Sequence, residues 1–484
     1  MPRNLVFCFS MDFGTRLSRL LLSVPLFIAP ALVSSPFCHA QQASPAPAQP
    51  VAPPAANNPE FLATADEVLQ EMSQITGWDL KSPLKKSIRS RAEIRAYVLH
   101  QMDDEKDAKE RYASARSAEA FGLIPRNFNL DSFLVDLLTE QIAGLYDPKA
   151  HEFYIADWIP VDEQRMVMSH ELTHALEDQH FQIESWVKAA RPNDDAEMAR
   201  ESVLEGSAMA AMLEYELKSK GIKLQDLPEF DPSVFVGDLA ETPMLKKAPP
   251  FIKDSLMFPY FSGLTYSMAV LKSGGWQAFT PVFARPPVNT QQILHPALYF
   301  SNRVPQPLKL ELPATVPGGD WVLLEENTLG EFGWMEVLKQ FRDKQLAETI
   351  AGAWNGDAYA TFEEKSSKRP MLFTRTRFLD SSGASAFFSQ YSLAFAQKYP
   401  DRFHITQRAD FLSFESPRGS VYLRCHADEC ITLEGGTSGI FLQWLGKLGW
   451  PLLPQSPEKS DPKVVQTTLL TNLLQDPDPV TLNH

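Results

Sequence analysis

Apolar positions in the N-terminal part of the chain recur with the period of a helix. Steps of three and four residues separate Phe61, Leu62, Ala65, Val68, Leu69 and Met72. The same period predicts helices over about residues 90–120 and 130–142, and the charged positions of the first are typical of a solvated helix face. Gly and Asp-Pro signals at residues 143–148 predict a turn. The aromatic and β-branched residues at 151–156 then predict a short strand.

The pattern changes beyond about residue 311. Helical spacing dominates to about residue 221 and returns around residues 260–273 and 290–299. Further along, helical stretches at 331–341 and 384–398 are interspersed with strand-like runs at 371–378, 411–414, 421–424 and 431–433. This order predicts an α+β fold, with a mainly helical domain at residues 60–305 and a C-terminal α+β domain at residues 306–450.

Both ends of the chain are predicted to lie outside these domains. Residues 1–40 combine basic positions, an apolar run and a small-residue stretch, which is the pattern of a secretory signal peptide. A membrane anchor is the alternative, but the apolar run contains two prolines and is shorter than the ~18–20 residues of a span. Residues 41–59 predict a Pro/Ala-rich linker, and residues 451–484 predict a disordered tail. We therefore expect export to the periplasm or the extracellular space, where the protein could associate with the cell envelope.

Composition narrows the classes of function. The 484 residues carry a formal net charge of −15, which argues against a nucleic-acid binder because such proteins need a basic surface. With 44% hydrophobic residues the chain is too apolar to be a disordered protein. Cys425 and Cys430 lie between two strand-like runs and are expected to pair across a hairpin in an exported protein. Metal binding by these two cysteines together with His426 is the alternative.

The most informative chemical pattern is His-x-x-x-His with a glutamate after the first histidine, at His170, Glu171 and His174. Ten His and 60 acidic residues in 484 positions would produce it by chance about 0.03 times. On a helix, residues four apart share one face, so both imidazoles can bind the same ion. Glu171 lies about 100° further round the axis, where it can reach a water beside the ion without binding the ion itself. Imidazole nitrogens are suitable ligands for Zn²⁺.

A third ligand is expected on the next predicted helix, over residues 195–212. Glu205 lies there on a face of small and apolar side chains, where a carboxylate is costly unless it is paired or binds a metal. Glu201, one turn earlier on the same face, is the fallback ligand or a carboxylate that orients a histidine. Two His and one Glu with an open coordination position form the ligand set of thermolysin-like zinc peptidases.

At these residues the sequence resembles the gluzincin family of zinc metallopeptidases, which pair HExxH with a glutamate on a second helix. A wider resemblance, over about residues 90–300, is to a group of uncharacterised secreted bacterial metallopeptidase-like proteins. The phrases that carry it are GLIP at 122–125, YDP at 146–148, HELTHALEDQHF at 170–181, LEGSA at 204–208 and PPVNTQQILHP at 286–296. The resemblance implies a zincin-like catalytic domain in which His170, His174 and Glu205 bind Zn²⁺ and Glu171 is the general base.

One position departs from the thermolysin-like pattern. Those enzymes carry an acid four residues after the third ligand, and this chain has Met209 there. The acid that orients a histidine ligand must therefore come from elsewhere. Asp178 and Glu201 are the two candidates for that role.

These features predict an exported zinc metallopeptidase that hydrolyses a peptide or protein substrate, with Glu171 moving the proton of the attacking water. His295 is a candidate donor to the oxyanion, and Tyr260 and Tyr266 are others. The strand at 153–155 either aligns an extended substrate by strand addition or is an ordinary core strand.

Two alternatives to a peptidase stay open. One is a non-catalytic binding or envelope-assembly protein built on a zincin scaffold, and the other is a zinc hydrolase that acts on a non-peptide amide. Glu171 favours an enzyme, because a protein that only binds has no use for that carboxylate.

Overall fold

The computed structural model describes residues 59–103, 105–159, 161–228, 242–313, 316 and 320–451. The predicted signal peptide, the predicted linker except Pro59 and the predicted tail except Pro451 lie outside these residues. Among the described helices, none combines the length and the hydropathy that a membrane-spanning segment needs. Helices and strands both contribute to the described part of the chain, so the prediction of a mixed α+β fold is confirmed at that level.

Helices dominate the N-terminal part. Its first elements are α1 (Pro59–Thr76), β1 (Lys85–Arg89), α2 (Arg91–Met102), α3 (Glu105–Phe121), α4 (Leu130–Gln141), β2 (Gly144–Asp147) and β3 (Glu152–Ala156). They are followed by α5 (Val161–Phe181), α6 (Ile183–Lys188), α7 (Asp194–Lys218), α8 (Pro243–Lys247), α9 (Pro250–Gly274), α10 (Phe279–Ala284), α11 (Thr290–Leu294) and α12 (Pro296–Phe300).

The helix predicted over residues 90–120 is two helices in the structure. α2 ends at Met102, and its C-cap Asp103 donates its backbone N–H to the carbonyl of His100. The side chain of Arg111, on α3, donates to the carbonyl oxygen of Met102 at 2.8 Å and so satisfies an acceptor that a helix end leaves open. The helix predicted over residues 290–299 is also divided, into α11 and α12, because Pro296 has no N–H to continue the ladder.

A three-stranded sheet lies beside α5, with the strand order β1-β3-β2. The turn predicted at residues 143–148 is wrong over Gly144–Asp147, which form β2 and pair antiparallel with β3. The turn follows β2 instead, where the carboxylate of Asp147 accepts the N–H groups of Lys149 and Ala150. Strand β3 is central, since it pairs with β1 on its other side. It therefore has no free edge, and the hypothesis that it receives a substrate by strand addition is wrong.

The C-terminal part is built on a larger sheet. Its elements are β4 (Trp321–Asn327), α13 (Gly330–Lys339), α14 (Lys344–Ala351), β5 (Trp354–Glu364), β6 (Pro370–Phe378), α15 (Ser381–Lys398), β7 (Phe403–Gln407), β8 (Phe411–Ser416), β9 (Gly419–His426), β10 (Glu429–Gly436) and α16 (Ser438–Leu448). Seven antiparallel strands follow the order β4-β5-β6-β10-β9-β8-β7. The predicted disulfide between Cys425 and Cys430 is present and joins facing positions of β9 and β10. Both sulfurs are therefore used, which removes the metal-binding alternative with His426.

Apolar side chains on both sides of residue 305 share one core. Phe121 of α3 packs edge-on against Trp334 of α13 and Tyr359 of β5, with ring centroids 6.1 and 5.2 Å apart. A second cluster covers the other face of the large sheet, where Trp444 of α16 packs against Phe373 of β6. The large sheet is thus buried on two faces, by helices of both parts of the chain.

The helices α7 and α9 approach each other unusually closely. A Cβ atom on Gly206 would lie 2.1 Å from the carbonyl oxygen of Gly263, and one on Gly263 would lie 2.2 Å from the carbonyl oxygen of Ser202. Only glycine fits at either position, because no side-chain atom can come this close to a backbone oxygen. This crossing holds Glu205 of α7 and Tyr260 of α9 on adjoining turns beside α5.

Candidate metal centre

Two helices bring the three predicted metal ligands together. The Nε2 atoms of His170 and His174 lie 3.1 Å apart, and Oε2 of Glu205 lies 3.2 Å from the first and 3.5 Å from the second. Within the described residues, this is the one group of three or more His, Cys, Asp or Glu residues whose donor atoms converge closely enough to hold an ion. The other candidate ligand, Glu201, is not part of it.

Burial makes the arrangement costly without a cation. His170 and His174 are fully buried and Glu205 is 3% exposed. Both histidines lie on α5, which packs against α1, α7, β2 and β3. Most of the other side chains of α5 around the two histidines are apolar or small and are buried. The two imidazole nitrogens and the carboxylate oxygen direct lone pairs at one buried point, and these lone pairs repel each other unless a proton or a metal ion lies between them. A metal ion satisfies all three at once.

The spacing of the donors fits zinc. A tetrahedral Zn²⁺ ion at 2.0–2.1 Å from each ligand would set neighbouring donor atoms about 3.3–3.4 Å apart. The three observed separations of 3.1, 3.2 and 3.5 Å bracket that value. Nitrogen and carboxylate oxygen are also donors that zinc accepts, and three protein ligands leave a fourth position for chemistry. The residues present therefore fit the ion that the sequence predicts.

The carboxylate that orients His174 is Glu177, one turn further along α5. Its Oε2 lies 2.9 Å from Nδ1 of His174, and its Oε1 accepts a hydrogen bond from the hydroxyl of Ser207 on α7. A hydrogen bond to Nδ1 leaves Nε2 as the nitrogen that faces the ion. Asp178 and Glu201 were the two residues predicted for this role. Glu177 was not among them, although its helical step of three residues from His174 is a spacing that could have identified it.

Asp178 contacts residues outside the candidate metal centre. Its Oδ2 accepts the hydroxyl of Tyr146 at 2.7 Å and lies 3.2 Å from Nδ1 of His151. Its Oδ1 accepts the N–H of Ile183 at 3.2 Å, at the start of α6. Asp178 therefore joins α5 to β2 and to the next helix, and it does not touch either histidine ligand.

Glu171 is placed by the backbone of β2. Its Oε2 accepts the N–H of Tyr146 at 2.8 Å, and the residue is fully buried beside the two histidines. Gly144, two residues earlier, allows β2 to lie this close, because a Cβ there would be 2.4 Å from a methyl group of Val167 and 3.4 Å from Cγ of Glu171. One oxygen of the carboxylate is thus tied to a fixed donor, and this contact sets the orientation of the other.

Tyr260 is the oxyanion candidate that adjoins the metal centre. Its ring lies roughly parallel to that of His170, with centroids 6.3 Å apart, and its hydroxyl interacts with Glu205. Burial, reinforced by the negative charge of Glu205, raises the pKa of Tyr260 well above its usual value. The phenol therefore keeps its proton, which its hydroxyl needs in order to donate a hydrogen bond at the centre.

The other two candidates have partners elsewhere. His295 lies between α11 and α12 with its side chain 48% exposed, and its Nε2 is 2.8 Å from a carboxylate oxygen of Glu331 on α13. The hydrogen bond to Glu331 raises the pKa of His295. Tyr266 packs edge-on against Tyr299, with ring centroids 5.4 Å apart. The described contacts of His295 and Tyr266 include none to His170, His174 or Glu205.

The protein groups alone make the two histidines electrically different. Burial lowers the pKa of His170 to about 4. Burial acts in the same direction on His174, but the carboxylates of Glu205 and Glu177 outweigh it and raise the pKa of His174 to about 10. The same histidines outweigh the effect of burial on Glu205 and lower its pKa. The pocket as a whole therefore favours positive charge at the point where the three donors meet.

Comparisons of the chain with protein-family models, with curated proteins and with solved structures give no match.

Proposed function

We propose that the protein is a zinc-dependent metallopeptidase with a zincin-like catalytic centre. The observation that carries the proposal is the convergence of three buried donor atoms at separations of 3.1 to 3.5 Å, with Glu171 next to one of them in the chain. His170, His174 and Glu205 would hold the ion. When bound, Zn²⁺ polarises a substrate carbonyl and makes a water molecule more acidic.

Glu171 takes the proton of the attacking water and passes it to the leaving amine. The N–H of Tyr146 holds one of its oxygens at 2.8 Å, so the carboxylate need not reorganise when the proton arrives. General-base catalysis of this kind contributes about 10²–10⁴-fold to a rate. Glu171 is therefore the residue whose removal should separate metal binding from catalysis.

The surrounding residues keep the donor set in position. Glu177 and Ser207 fix the ring of His174, and the ring of Tyr260 on α9 lies beside that of His170. The Gly206–Gly263 crossing brings α7 and α9 close together. The residues of the site thus come from four elements, which are α5, α7, α9 and β2.

A zinc hydrolase that acts on a non-peptide amide would use the same groups. The substrate class therefore has to be proposed separately from the catalytic centre. We favour a peptide or protein substrate because the ligand set is that of peptidases. Export through the predicted signal at residues 1–40 would place the enzyme in the periplasm or outside the cell, among peptide and protein substrates.

The test is cleavage of a peptide library by the purified full chain, before and after removal of metal with a chelator. The proposal predicts cleavage that the chelator abolishes and that one equivalent of Zn²⁺ restores. Hydrolysis of non-peptide amides without cleavage of any peptide would replace the peptidase by the other hydrolase. Zinc bound without hydrolysis of either kind would favour the non-catalytic binding protein.

A further inference from the structure

A second cleft, away from the metal ligands, has an excess of positive charge. It has a volume of about 560 Å³ and lies between α3, the segment that follows α3, the β5–β6 and β8–β9 turns and the C-terminal end of α15. Its charged lining residues are Arg116, Glu119, Arg126, Lys368, Arg369, Arg418 and Glu434. Five are basic and two are acidic, which leaves three positive charges in excess. The whole chain, in contrast, carries a formal net charge of −15.

Most of the local carboxylates already have cationic partners. Arg116 pairs with Glu119 and, at 3.2 Å, with Glu363 of β5. Lys368 also pairs with Glu363, at 3.0 Å. Glu434 of β10 accepts the ammonium of the buried Lys398 and the hydroxyl of Tyr399, both at 2.6 Å. The acidic groups of the cleft are thus used by other side chains.

Within the described residues, neither Arg126 nor Arg418 forms a salt bridge, although Glu434 and Asp401 act on Arg418 at longer range. Arg418 stacks on the ring of Tyr399 with its guanidinium carbon 4.0 Å from the ring centroid, and it donates to the backbone carbonyl of Lys398. Arg126 is exposed and lines the same cleft. Partial burial lowers the pKa of Arg418, and the positive charge of Arg126 acts in the same direction. Two guanidinium groups therefore repel each other beside the buried ring of Tyr399, and the charges of Glu434 and Asp401 offset this only in part.

We propose that this cleft binds a small ligand through a phosphate or carboxylate group, which is held between Arg126 and Arg418. An anion there would relieve the repulsion, and the planar fork of a guanidinium matches both groups with two parallel hydrogen bonds. Stacking on Tyr399 fixes the plane of Arg418 in advance. The volume of about 560 Å³ is that of a small-molecule site rather than of an extended polyanion groove. The site is independent of the metal centre and of the reaction proposed there.

Isothermal titration of the full chain with inorganic phosphate and, separately, with citrate tests this proposal. Each titration is run at constant ionic strength with chloride as the balancing anion. We expect saturable binding of at least one probe. Phosphate alone would identify a phosphate-bearing ligand, and citrate alone would identify a carboxylate-bearing one. If neither probe binds in preference to chloride, the proposal is wrong.

The exposed Arg126 provides a variant that does not disturb the core. Arg126→Gln should weaken binding by at least about tenfold, because a hydrogen bond to a charged group contributes about 1.5–3 kcal/mol. Arg418→Lys keeps the charge but loses the fork, and it should weaken binding as well. The matched control is Arg303→Gln, an exposed arginine outside the cleft, which should bind as the wild type does. Unchanged binding by Arg126→Gln would overturn the proposal.

Discussion

Glu177 and His174 form a hydrogen-bonded pair one turn apart on α5, with 2.9 Å between Oε2 and Nδ1. Both side chains are fully buried, and Ser207 of α7 donates to the other oxygen of Glu177. The pair supplies the orienting carboxylate that the thermolysin-like pattern would place at residue 209. The candidate ligand His174 and the acid that orients it therefore lie on the same helix, and Ser207 and Glu205 of α7 contact both.

Removing this acid should weaken zinc binding. Glu177→Ala leaves Nδ1 of His174 without its acceptor, so the ring loses its fixed orientation. We expect the zinc affinity to fall by about 10–100-fold, as measured by competition with a chromophoric chelator. Glu348→Ala, on the exposed side of α14, is the control and should keep the wild-type affinity. An unchanged affinity for Glu177→Ala would mean that the pair does not orient the ligand.

The close crossing of α7 and α9 predicts a large cost for small substitutions. Gly206→Ala and Gly263→Ala each place a methyl group within 2.2 Å of a backbone oxygen, so the helices must move apart. We expect each to lower the free energy of unfolding by about 1–3 kcal/mol in denaturant titrations. Gly446→Ala, in α16, has no heavy atom within 4 Å of the added carbon and should be neutral or stabilising. Equal stability of all three variants would show that α7 and α9 do not pack this closely at Gly206 and Gly263.

The contact between β2 and α5 predicts a change in rate rather than in metal content. In Gly144→Ala the new methyl group meets Val167, which pushes β2 and the N–H of Tyr146 away from Glu171. We expect kcat for peptide cleavage to fall by at least about tenfold while about one zinc per chain is retained. Metal analysis beside steady-state kinetics measures both. Loss of zinc in parallel with activity would show that β2 supports the ligands instead.

A buried acid outside the metal centre predicts how stability depends on pH. Burial raises the pKa of Asp195 to about 8, and the charges of Asp357 and Glu331 act in the same direction. The folded protein therefore holds a proton that the unfolded chain releases near pH 4. The stability that this proton provides is complete below about pH 4 and falls by up to about 1.4 kcal/mol per pH unit as the pH rises towards 8.

Asp195→Asn tests this contribution because the amide oxygen can still accept from Thr290, as Oδ1 of Asp195 does at 3.0 Å. The variant should lose stability less steeply than the wild type between pH 4 and pH 8. Denaturant titrations at several pH values measure both slopes. Identical slopes would show that Asp195 is ionised in the folded protein across that range.

The three candidate ligands could be predicted from sequence, two by helical spacing and the third by the composition of its helix face. Four residues separate His170 from His174, and the apolar face around Glu205 marks a carboxylate that needs a cation. The step of three residues from His174 to Glu177 was a local signal, but the contact of Glu177 with Ser207 joins two helices, and no local pattern reveals it. The position of Tyr260 likewise depends on two glycines that meet between distant segments.

Strand positions were predicted less well than helix positions. β5 was missed because Asn355-Gly356-Asp357, near its start, has the composition of a turn. In the structure this stretch is a bulge with Gly356 at a φ of 122°, and the strand continues beyond it to Glu364. β2 was taken for a turn for a similar reason, although tertiary pairing with β3 determines its conformation.

The most direct test of the central proposal compares Glu171→Gln with the wild type, both loaded with zinc, in the rate of cleavage of one peptide substrate. Glutamine fills the same space and can still accept the N–H of Tyr146, but it cannot take a proton from water. The account predicts about one zinc per chain in both proteins and a rate lower by about 10²–10⁴-fold in the variant. An unchanged rate with zinc still bound would show that Glu171 is not the general base.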